Sequence, residues 1–307
     1  MNSILITGGC GFVGVNLVRA LVDVIPDITV VDNLSTGHSE DVADLDIDFV
    51  QADIRDKECM RKAVEGKDAV IHLAADTRVM DSIEDPETNF DVNAAGTLNL
   101  LKQADAAGVS RFITASTGGA IIGDCEPPVH EDMVPRPLSP YGASKLAAEG
   151  YCSAFAGSYN MNTVALRFAN VYGPYSYHKG SVIAKFFKNM LHDEPLTVYG
   201  DGTQTRDFVY TGDLCRAIQS VLFADLNGHN VFNLGSGKEI TILELIEHMK
   251  IVTGKQDYPV AFEPPRQGEV YRNYTCIDKA KRTLDYEPSM NLRDGLQNTW
   301  AWFQSET

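Results

Sequence analysis

Short apolar runs rich in Val and Ile alternate with longer amphipathic stretches over the first half of the 307-residue chain. The short runs predict strands at Ser3–Thr7, Ile28–Asp32, Asp48–Gln51, Ala69–Ala74, Arg111–Ala115 and Thr163–Phe168. The longer stretches predict helices at Phe12–Val24, Glu87–Ala107 and Pro140–Gly157. Strands that alternate with helices form βαβ units, so this half predicts an α/β fold, a Rossmann-type doubly wound parallel sheet with helices on both faces.

From about residue 169 this alternation breaks, and the loops carry Gly, Pro and Tyr. Further helices are predicted at Ser181–His192, Asp213–Phe223 and Thr241–Thr253. We therefore expect an α/β domain of residues 1–168, to which residues 209–234 return. Residues 169–208 and 235–307 are expected to form a smaller α/β lobe.

Acidic side chains outnumber basic ones by 42 to 26, which gives a formal net charge of −16. Such a surface repels phosphate backbones and anionic lipid, so neither nucleic acid nor a membrane is an expected partner. The six cysteines show no CxxC spacing and no His at zinc-ligand spacing, which predicts reduced thiols and no metal site. Signal-peptide features and a spanning apolar run of about 20 residues are missing, so we expect a cytoplasmic protein.

A glycine-rich segment, TGGCGFVG, joins the first predicted strand to the first helix. Gly8 permits the tight turn, Gly11 lets a pyrophosphate approach the backbone, and Gly14 lets the helix pack close to the sheet. The helix begins at Phe12 and Val13, whose free N–H groups face the phosphates. Because the segment follows a strand and precedes a helix, it predicts a dinucleotide site.

An acidic residue, Asp32, ends the second strand and is followed by Asn33. A carboxylate at this strand end accepts hydrogen bonds from ribose hydroxyls and repels a 2′-phosphate, so NAD is favoured over NADP. Asp53 and Ile54 follow the third strand, where they would meet the adenine. Taken alone, Asp53 fits the cap of a following helix equally well.

Tyr141 and Lys145 lie four residues apart at the start of the predicted helix Pro140–Gly157, so their side chains share one face. A tyrosine hydroxyl has an unperturbed pKa of about 10, too high for a general base at neutral pH. A nearby ammonium and a cationic nicotinamide favour the phenolate and lower this pKa. Tyr141 would then take a proton from a hydroxyl while hydride leaves the same carbon.

The fifth predicted strand runs into Ser116, Thr117, Gly118 and Gly119. Ligands bind at the carboxyl ends of strands in such sheets, so a hydroxyl here is placed to bridge the tyrosine and a substrate hydroxyl. The same sequence also suits an ordinary turn at a strand end.

Together these features resemble the extended short-chain dehydrogenase/reductase family, and most of all its nucleotide-sugar epimerases of the UDP-glucose (UDP-galactose) 4-epimerase type. The resemblance runs nearly end to end through TGGCGFVG, VVDN, DIRD, HLAA, DVNAAGTLNLL, ASTGGAIIG, SPYGASK, RFANVYGP, YGDGTQTRDFVYTGD, NLGSG and PPRQGE. It implies a tightly held NAD, a UDP-sugar substrate and a homodimer paired through Glu87–Ala107 and Pro140–Gly157.

The resemblance also implies hydride abstraction from C4 of the sugar, rotation of a 4-keto intermediate, and hydride return to its other face. Tyr141 would act as base and then acid, while Lys145 would hold the nicotinamide ribose. The family's Ser/Thr role falls on Thr117 or Ser116, with Thr117 preferred, although Gly118 aligns most directly with the catalytic Ser of many members.

Other positions receive roles only through this resemblance. Those expected beside the cofactor are His72, Leu73, Ala74, Ala75 and Asn93. Those expected to bind substrate are Asn170, Arg206 and Arg266 at the diphosphate, Tyr199 at uracil, Glu269 at the nucleotide ribose, Val182 at the nucleotide, and Thr117, Tyr141 and Asn273 at the sugar.

Three positions depart from the family pattern. Ile121-Ile122-Gly123 replaces the usual VYG, so a tyrosine near the sugar is missing. Arg78 replaces a small or neutral residue and fits either a surface ion pair or a substrate contact. Asn273 stands where a bulky Tyr limits the room beside the hexose, and its smaller side chain should admit an N-acetyl group.

Other activities remain open alternatives. A dTDP-glucose 4,6-dehydratase needs an Asp-Glu pair where this chain has Gly118-Gly119. A uronic-acid 4-epimerase or decarboxylase needs a cation, which His178, Lys179 or Arg78 would supply. A 3,5-epimerase-reductase needs a further acid/base such as Cys125, and a non-catalytic NAD-binding protein is expected to lack the Tyr–Lys pair.

Overall fold

The computed structural model of the protein describes residues 1–265 and 270–306. The described strands are β1 (Ser3–Thr7), β2 (Asp27–Asp32), β3 (Asp48–Gln51), β4 (Ala69–His72), β5 (Arg111–Thr117), β6 (Asn162–Phe168), β7 (Asn170–Tyr172), β8 (Leu196–Tyr199), β9 (Thr205–Arg206), β10 (Phe208–Tyr210), β11 (His229–Leu234), β12 (Ile240–Thr241) and β13 (Val260–Glu263).

The described α-helices are α1 (Phe12–Leu21), α2 (Lys57–Ala63), α3 (Val79–Glu84), α4 (Pro86–Phe90), α5 (Gly96–Ala106), α6 (Gly118–Ile122), α7 (Pro140–Tyr159), α8 (Val182–Leu191), α9 (Thr211–Phe223), α10 (Ile242–Thr253), α11 (Asp278–Leu284) and α12 (Leu292–Ser305). A 3₁₀ turn spans Ser39–Val42, and a π-helical segment spans Asp91–Ala95. No helix among the described residues is long and apolar enough to cross a membrane.

Seven parallel strands form the central sheet in the order β11-β6-β5-β4-β1-β2-β3. The strand order reverses between β1 and β4, and in open α/β sheets this switch point is where ligands bind, beyond the carboxyl ends of the strands. The predicted Rossmann-type α/β fold is confirmed. Strand β11 enters the sheet beside β6, so a segment late in the chain completes a sheet that the first half begins.

Apolar side chains cover both faces of this sheet, as a parallel sheet requires. One core lies between the sheet, α1 and α9, and the other lies between the sheet, α2, α5 and α7. A separate apolar cluster joins α8, β8, α10 and α12. The short strand pairs β7–β10, β8–β13 and β9–β12 lie outside the central sheet.

All six predicted strands are present, and Ser3–Thr7 and Asp48–Gln51 have the predicted bounds. Strand β4 ends two residues early, at His72, and β5 continues two residues further, to Thr117. The predicted helical stretch Glu87–Ala107 is confirmed, and it consists of α4, the π-helical segment and α5 in direct succession. Local bonds to neighbouring elements favour such a segment, and apolar periodicity does not reveal them.

Candidate active site

A cleft of about 920 Å³ opens at the carboxyl ends of β1, β2, β3 and β4. Its lining includes the predicted cofactor residues Gly8, Gly11, Phe12, Val13, Asp32, Asn33, Asp53, Ile54, Leu73, Ala74 and Ala75. The cleft therefore lies at the sheet's switch point, where the fold places its ligands.

The surroundings of the three glycines in the glycine loop differ. Gly8 has a φ of +73°, and a Cβ there would lie 2.5 Å from the backbone nitrogen of Ala74. A Cβ on Gly14 would overlap the carbonyl oxygen of Gly8, so the first turn of α1 packs directly on the loop. At Gly11 the nearest atom is 3.4 Å away, which leaves this backbone open for close approach. The loop fits a pyrophosphate at the start of the helix.

Asp32 is held rigidly at the end of β2. Its two carboxylate oxygens accept hydrogen bonds from the backbone N–H groups of Cys10, at 3.0 Å, and Leu34, at 2.8 Å. Burial raises the pKa of this carboxyl, while the two backbone bonds lower it. A carboxylate has about four acceptor positions, so two remain for ribose hydroxyls.

Asp53 is fixed by neighbours rather than by a helix. Its carboxylate receives two bonds from Arg55 at 2.8 Å and one from Asn33 at 3.2 Å, and the arginine holds its pKa down at about 2. The cap of α2 is Asp56, not Asp53, so the alternative capping role of Asp53 is wrong. Asp53 and Ile54 both face the cleft.

Asn93 lies behind the cleft rather than in its lining. Its amide exchanges two hydrogen bonds of 2.8 Å with the backbone of Asp76 and donates one of 3.0 Å to Ser144 Oγ. Asn93 therefore joins the loop after β4 to the helix that carries Tyr141 and Lys145.

His72 is also behind the cleft, in the interior of the protein. Its Nε2 lies 2.9 Å from the hydroxyl of Thr97, which itself donates to the carbonyl oxygen of Asn93, so Nε2 carries the proton. Thr7 then donates to Nδ1 at 2.7 Å. Burial lowers the pKa of His72 to about 3, so the ring is neutral and serves packing.

Helix α7 brings Tyr141 and Lys145 to the end of β5. Ser139 caps the helix by accepting a bond from Gly142 N, and a Cβ on Gly142 would overlap the carbonyl oxygen of Ala120. This close approach presses the first turn of α7 against the segment after β5. The ammonium of Lys145, only 5% exposed, donates to the carbonyl oxygen of Ala115 at 3.1 Å.

The ionisation of this pair is set mainly by burial. Burial lowers the pKa of Lys145 to about 8, so the ammonium persists at neutral pH. Burial and the nearby Asp76 raise the pKa of Tyr141 to about 12. The expected lowering of the tyrosine pKa is therefore absent in the protein alone, and a bound cationic nicotinamide is needed to favour the phenolate.

Ser116 and Thr117 are successive residues of β5, so their side chains point to opposite faces of the sheet. Ser116 is buried and donates to the carboxylate of Glu149 at 2.6 Å, and this carboxylate pairs with Arg167 at 2.8 Å. Thr117 is only partly buried, on the other face. The Ser116 hydroxyl is therefore hydrogen-bonded to an internal ion pair.

A second cleft of about 250 Å³ lies between β7, β8, β9 and α8. Its lining includes the predicted substrate residues Asn170, Val182, Tyr199 and Arg206. Lys185 Nζ lies 6.0 Å from the centre of the Tyr199 ring, so the cleft has a second cation besides Arg206. Gly180 lines both clefts, which places them side by side.

The remaining predicted residues have three different outcomes. Asn273 covers Gly119, because a Cβ at that glycine would overlap the amide nitrogen of Asn273. Arg266 and Glu269 lie outside the described residues. Arg78 lines the first cleft, but its guanidinium pairs with Asp81 at 2.9 Å and is largely exposed.

Two charged residues of the first cleft, Asp76 and Lys179, were not predicted to lie beside the cofactor. Asp76 influences the pKa of Tyr141, and its place directly after the HLAA segment was the available signal. Lys179 was considered only as a partner for a sugar carboxylate, but it lies over the Phe12 ring in the first cleft. No group of three metal-ligating side chains occurs in the part of the chain that the structure describes.

Residues 4–235 match the family model described as NAD dependent epimerase/dehydratase family. A putative UDP-glucose 4-epimerase of Methanocaldococcus jannaschii is 38% identical over 310 residues, which cover 98% of each chain. The structure of a UDP-glucose 4-epimerase of Thermotoga maritima with UDP-glucose has a TM-score of 0.94 and 37% identity, covering 99% of both chains. The Thermus thermophilus UDP-glucose 4-epimerase with NAD has a TM-score of 0.92 and 35% identity, covering 99% of this chain and 100% of that one.

The chain therefore belongs to the NAD-dependent epimerase/dehydratase family. It is an enzyme of the epimerase type that uses NAD, and the glycine loop and Asp32 fit this cofactor.

Relatives with other sugars are nearly as similar. A UDP-N-acetylglucosamine 4-epimerase of Methanobrevibacter ruminantium, in complex with UDP-N-acetylmuramic acid, has a TM-score of 0.94 and 30% identity over 100% of this chain and 99% of that one. A UDP-glucuronate 4-epimerase of Thermodesulfobacterium geofontis is 33% identical over 98% of this chain and 96% of its own length. Overall similarity does not select the sugar, so the choice depends on individual residues.

Proposed function

We propose that this enzyme inverts C4 of a UDP-hexose through a 4-keto intermediate. The observation that carries the proposal is the place of Tyr141 and Lys145 at the start of α7, whose first turn packs closely on the segment after β5. Bound NAD supplies the acceptor, and later the donor, of the C4 hydride. The resemblance to UDP-glucose 4-epimerases supports the same reaction.

The chain's own residues supply the proton chemistry and the positioning. Tyr141, as the phenolate, accepts the proton of the C4 hydroxyl during oxidation and returns it to the same oxygen during reduction, so the residue ends each cycle as the phenolate in which it began. Lys145 holds the nicotinamide ribose and adds positive charge near the phenolate. Thr117 donates or accepts a hydrogen bond at the substrate hydroxyl and so orients it.

The second cleft would hold the UDP part of the substrate. Arg206 and Lys185 supply positive charge suited to a diphosphate, and Tyr199 offers a ring face for uracil. Asn170 and Val182 line the same cleft. Arg266 and Glu269 keep their proposed contacts to diphosphate and ribose through the family resemblance.

Substitutions of Thr117 and Ser116 should have different effects on turnover and on stability. Thr117→Val should lower kcat by about 10- to 100-fold, the effect of a hydrogen bond to a group that carries charge in the transition state. Ser116→Ala should lower the unfolding midpoint while kcat stays within a few-fold of the wild type, since its hydroxyl bonds Glu149. Initial rates on saturating UDP-glucose measure both; a large loss in Ser116→Ala with a normal Thr117→Val would reverse the assignment.

We further propose that the site accepts N-acetylhexosamines. This proposal is supported by the position of Asn273 against Gly119, two residues after Thr117, because the family resemblance expects the sugar near Thr117. An amide of this size leaves room beside the hexose that a tyrosine ring would fill.

Replacement of Asn273 by Tyr should therefore change the substrate preference. We expect the kcat/KM ratio of UDP-N-acetylglucosamine to UDP-glucose to fall by about 10- to 200-fold, the range for steric discrimination in a pocket. Asn273→Ala is the matched control and should keep the ratio. If the wild type turns over UDP-glucose alone, the proposed N-acetyl specificity is wrong.

The geometry supports the alternative activities less well. A dehydratase needs an acid and a base after Thr117, and the residues there are Gly118 and Gly119, the second of which Asn273 covers. A uronate site needs a cation at the sugar; of the three considered, Arg78 pairs with Asp81 and is largely exposed, while His178 and Lys179 line the first cleft, with Lys179 over the Phe12 ring.

One assay compares these activities directly. The purified protein is incubated, without added NAD, with a panel of UDP- and dTDP-hexoses, and the products are identified by NMR. A C4 epimer of a UDP-hexose is expected. A 4-keto-6-deoxy product would indicate a dehydratase instead.

We also propose a cytoplasmic homodimer. Met80, Ile83 and Phe90 are more than half exposed on α3 and α4, which pack on α7, and a second copy would cover them. The six cysteines are all free, in keeping with a reducing compartment.

A further inference from the structure

The loop between β7 and α8 crosses the first cleft and brings Tyr175, Tyr177, His178, Lys179 and Gly180 to its wall. Two contacts fix the loop there. The Tyr175 ring lies 5.1 Å from the Trp302 ring, and the His178 ring lies 4.5 Å from that of His38, which follows β2. The loop therefore connects the elements around the second cleft with the cofactor loop.

Lys179 points from this loop at the start of α1. Its Nζ lies 4.8 Å from the centre of the Phe12 ring, and this ammonium makes no hydrogen bond or ion pair with the described residues, whereas the backbone N–H of Lys179 donates to Ser176. Three acids, Glu40, Asp41 and Glu306, line the same cleft, yet none of them pairs with it. Burial lowers the pKa of Lys179 to about 8, as expected for an ammonium that has lost water and gained no anion.

A partly buried cation without an anion is unfavourable, so its position suggests a charged ligand. Phe12 is the first residue of α1, and no side chain caps this helix end in the described part of the chain. Its N–H groups and the open backbone at Gly11 are where a dinucleotide pyrophosphate binds. Lys179 and the start of α1 thus line the same cleft, with the ammonium over the first side chain of the helix.

We propose that Lys179 binds the pyrophosphate of NAD from the side opposite the helix end. The phosphates then lie between the α1 N–H groups and an ammonium from the β7–α8 loop. This inference rests on the NAD cofactor and not on the identity of the sugar. It also implies that bound NAD holds the loop which separates the two clefts, since Gly180 lines both.

The test compares Lys179→Met with Lys188→Met. Lys188 is a matched control because its Nζ also lies over an aromatic ring, 5.6 Å from the centre of Tyr177, but it lines neither cleft. Full-length protein is freed of NAD, and the Kd values of NAD, ADP-ribose and adenosine are measured by calorimetry. Thermal shifts with saturating NAD report folding of each variant.

Lys179→Met should weaken NAD and ADP-ribose by about 10- to 100-fold, the effect of one charge-assisted hydrogen bond, and leave adenosine unchanged. Lys179→Arg should recover most of the affinity, and Lys188→Met should match the wild type. Equal Kd values for NAD in Lys179→Met and the wild type would overturn the proposal. So would a raised KM for the UDP-sugar with an unchanged NAD Kd, which would assign Lys179 to the substrate.

These binding constants need no turnover. A protein that binds NAD as described but epimerises no UDP-hexose would refute the proposed function and leave the role of Lys179 standing. An active epimerase whose Kd for NAD is unchanged in Lys179→Met would refute the role of Lys179 and leave the proposed function standing.

Discussion

Tyr141→Phe should lower kcat by about 10²- to 10⁴-fold while the protein keeps its NAD. The substitution removes a single oxygen from the first turn of α7, where Lys145 and the end of β5 meet. Without that oxygen no residue accepts the C4 proton, although the cofactor cleft stays intact. The expected signature is a loss in kcat with little change in KM, because the missing interaction belongs to the transition state.

Tyr151→Phe is the matched control on the same helix. Tyr151 is 40% exposed, so removal of its hydroxyl should leave the rate unchanged. Both variants are assayed with UDP-glucose, and their NAD content is read from the absorbance of released cofactor. A Tyr141→Phe variant with wild-type kcat and full NAD would show that another group moves the proton.

Glu149→Ala should lower the free energy of unfolding by about 3–5 kcal/mol, the usual effect of removing one partner of a buried ion pair. Glu149 and Arg167 are 5% and 4% exposed, and two hydrogen bonds of 2.9 and 2.8 Å join them. Ser116 adds a third bond to the same carboxylate. The alanine variant leaves the Arg167 charge in the interior with only a 3.3 Å bond to the carbonyl oxygen of Glu131.

Urea unfolding of three variants isolates this effect. The double variant Glu149→Met with Arg167→Met should recover much of the loss, since an apolar pair of similar size needs no compensating charge. Glu58→Ala breaks an exposed pair with Arg61 and should not move the midpoint measurably. If Glu149→Ala and the double variant are equally unstable, the loss comes from packing and not from an unpaired charge.

The central sheet was predictable because each of its early strands is a short apolar run between turn signals, and Ser3–Thr7 shows this most clearly. The glycine loop was predictable for a related reason. Gly8 and Gly14 occupy positions where a Cβ would overlap backbone atoms, so the presence of glycine there indicates a close backbone approach.

Other features depend on contacts between distant residues. Alternation along β5 shows that Ser116 and Thr117 face opposite ways, but not which face meets the ligand. For Ser116 this depends on Glu149, 33 residues later, which accepts the hydrogen bond of its hydroxyl in the interior. Asn93, in the π-helical segment, likewise bonds Asp76 in the loop after β4 and Ser144 on α7, and spacing along the chain does not reveal these contacts.

The pKa of Tyr141 was expected to fall beside the Lys145 ammonium and a cationic nicotinamide. In the protein alone, burial and Asp76 raise this pKa, and neither effect can be read from an i, i+4 spacing. A cationic cofactor bound beside the tyrosine would act in the opposite direction and favour the phenolate.

The most direct test of the central claim uses UDP-glucose that carries deuterium at C4, with purified protein and no added NAD. Hydride removal and return at one carbon predicts UDP-galactose that keeps the deuterium at C4, observed by NMR. UDP-galactose in which solvent hydrogen replaces the deuterium, or a product unchanged at C4, would contradict it.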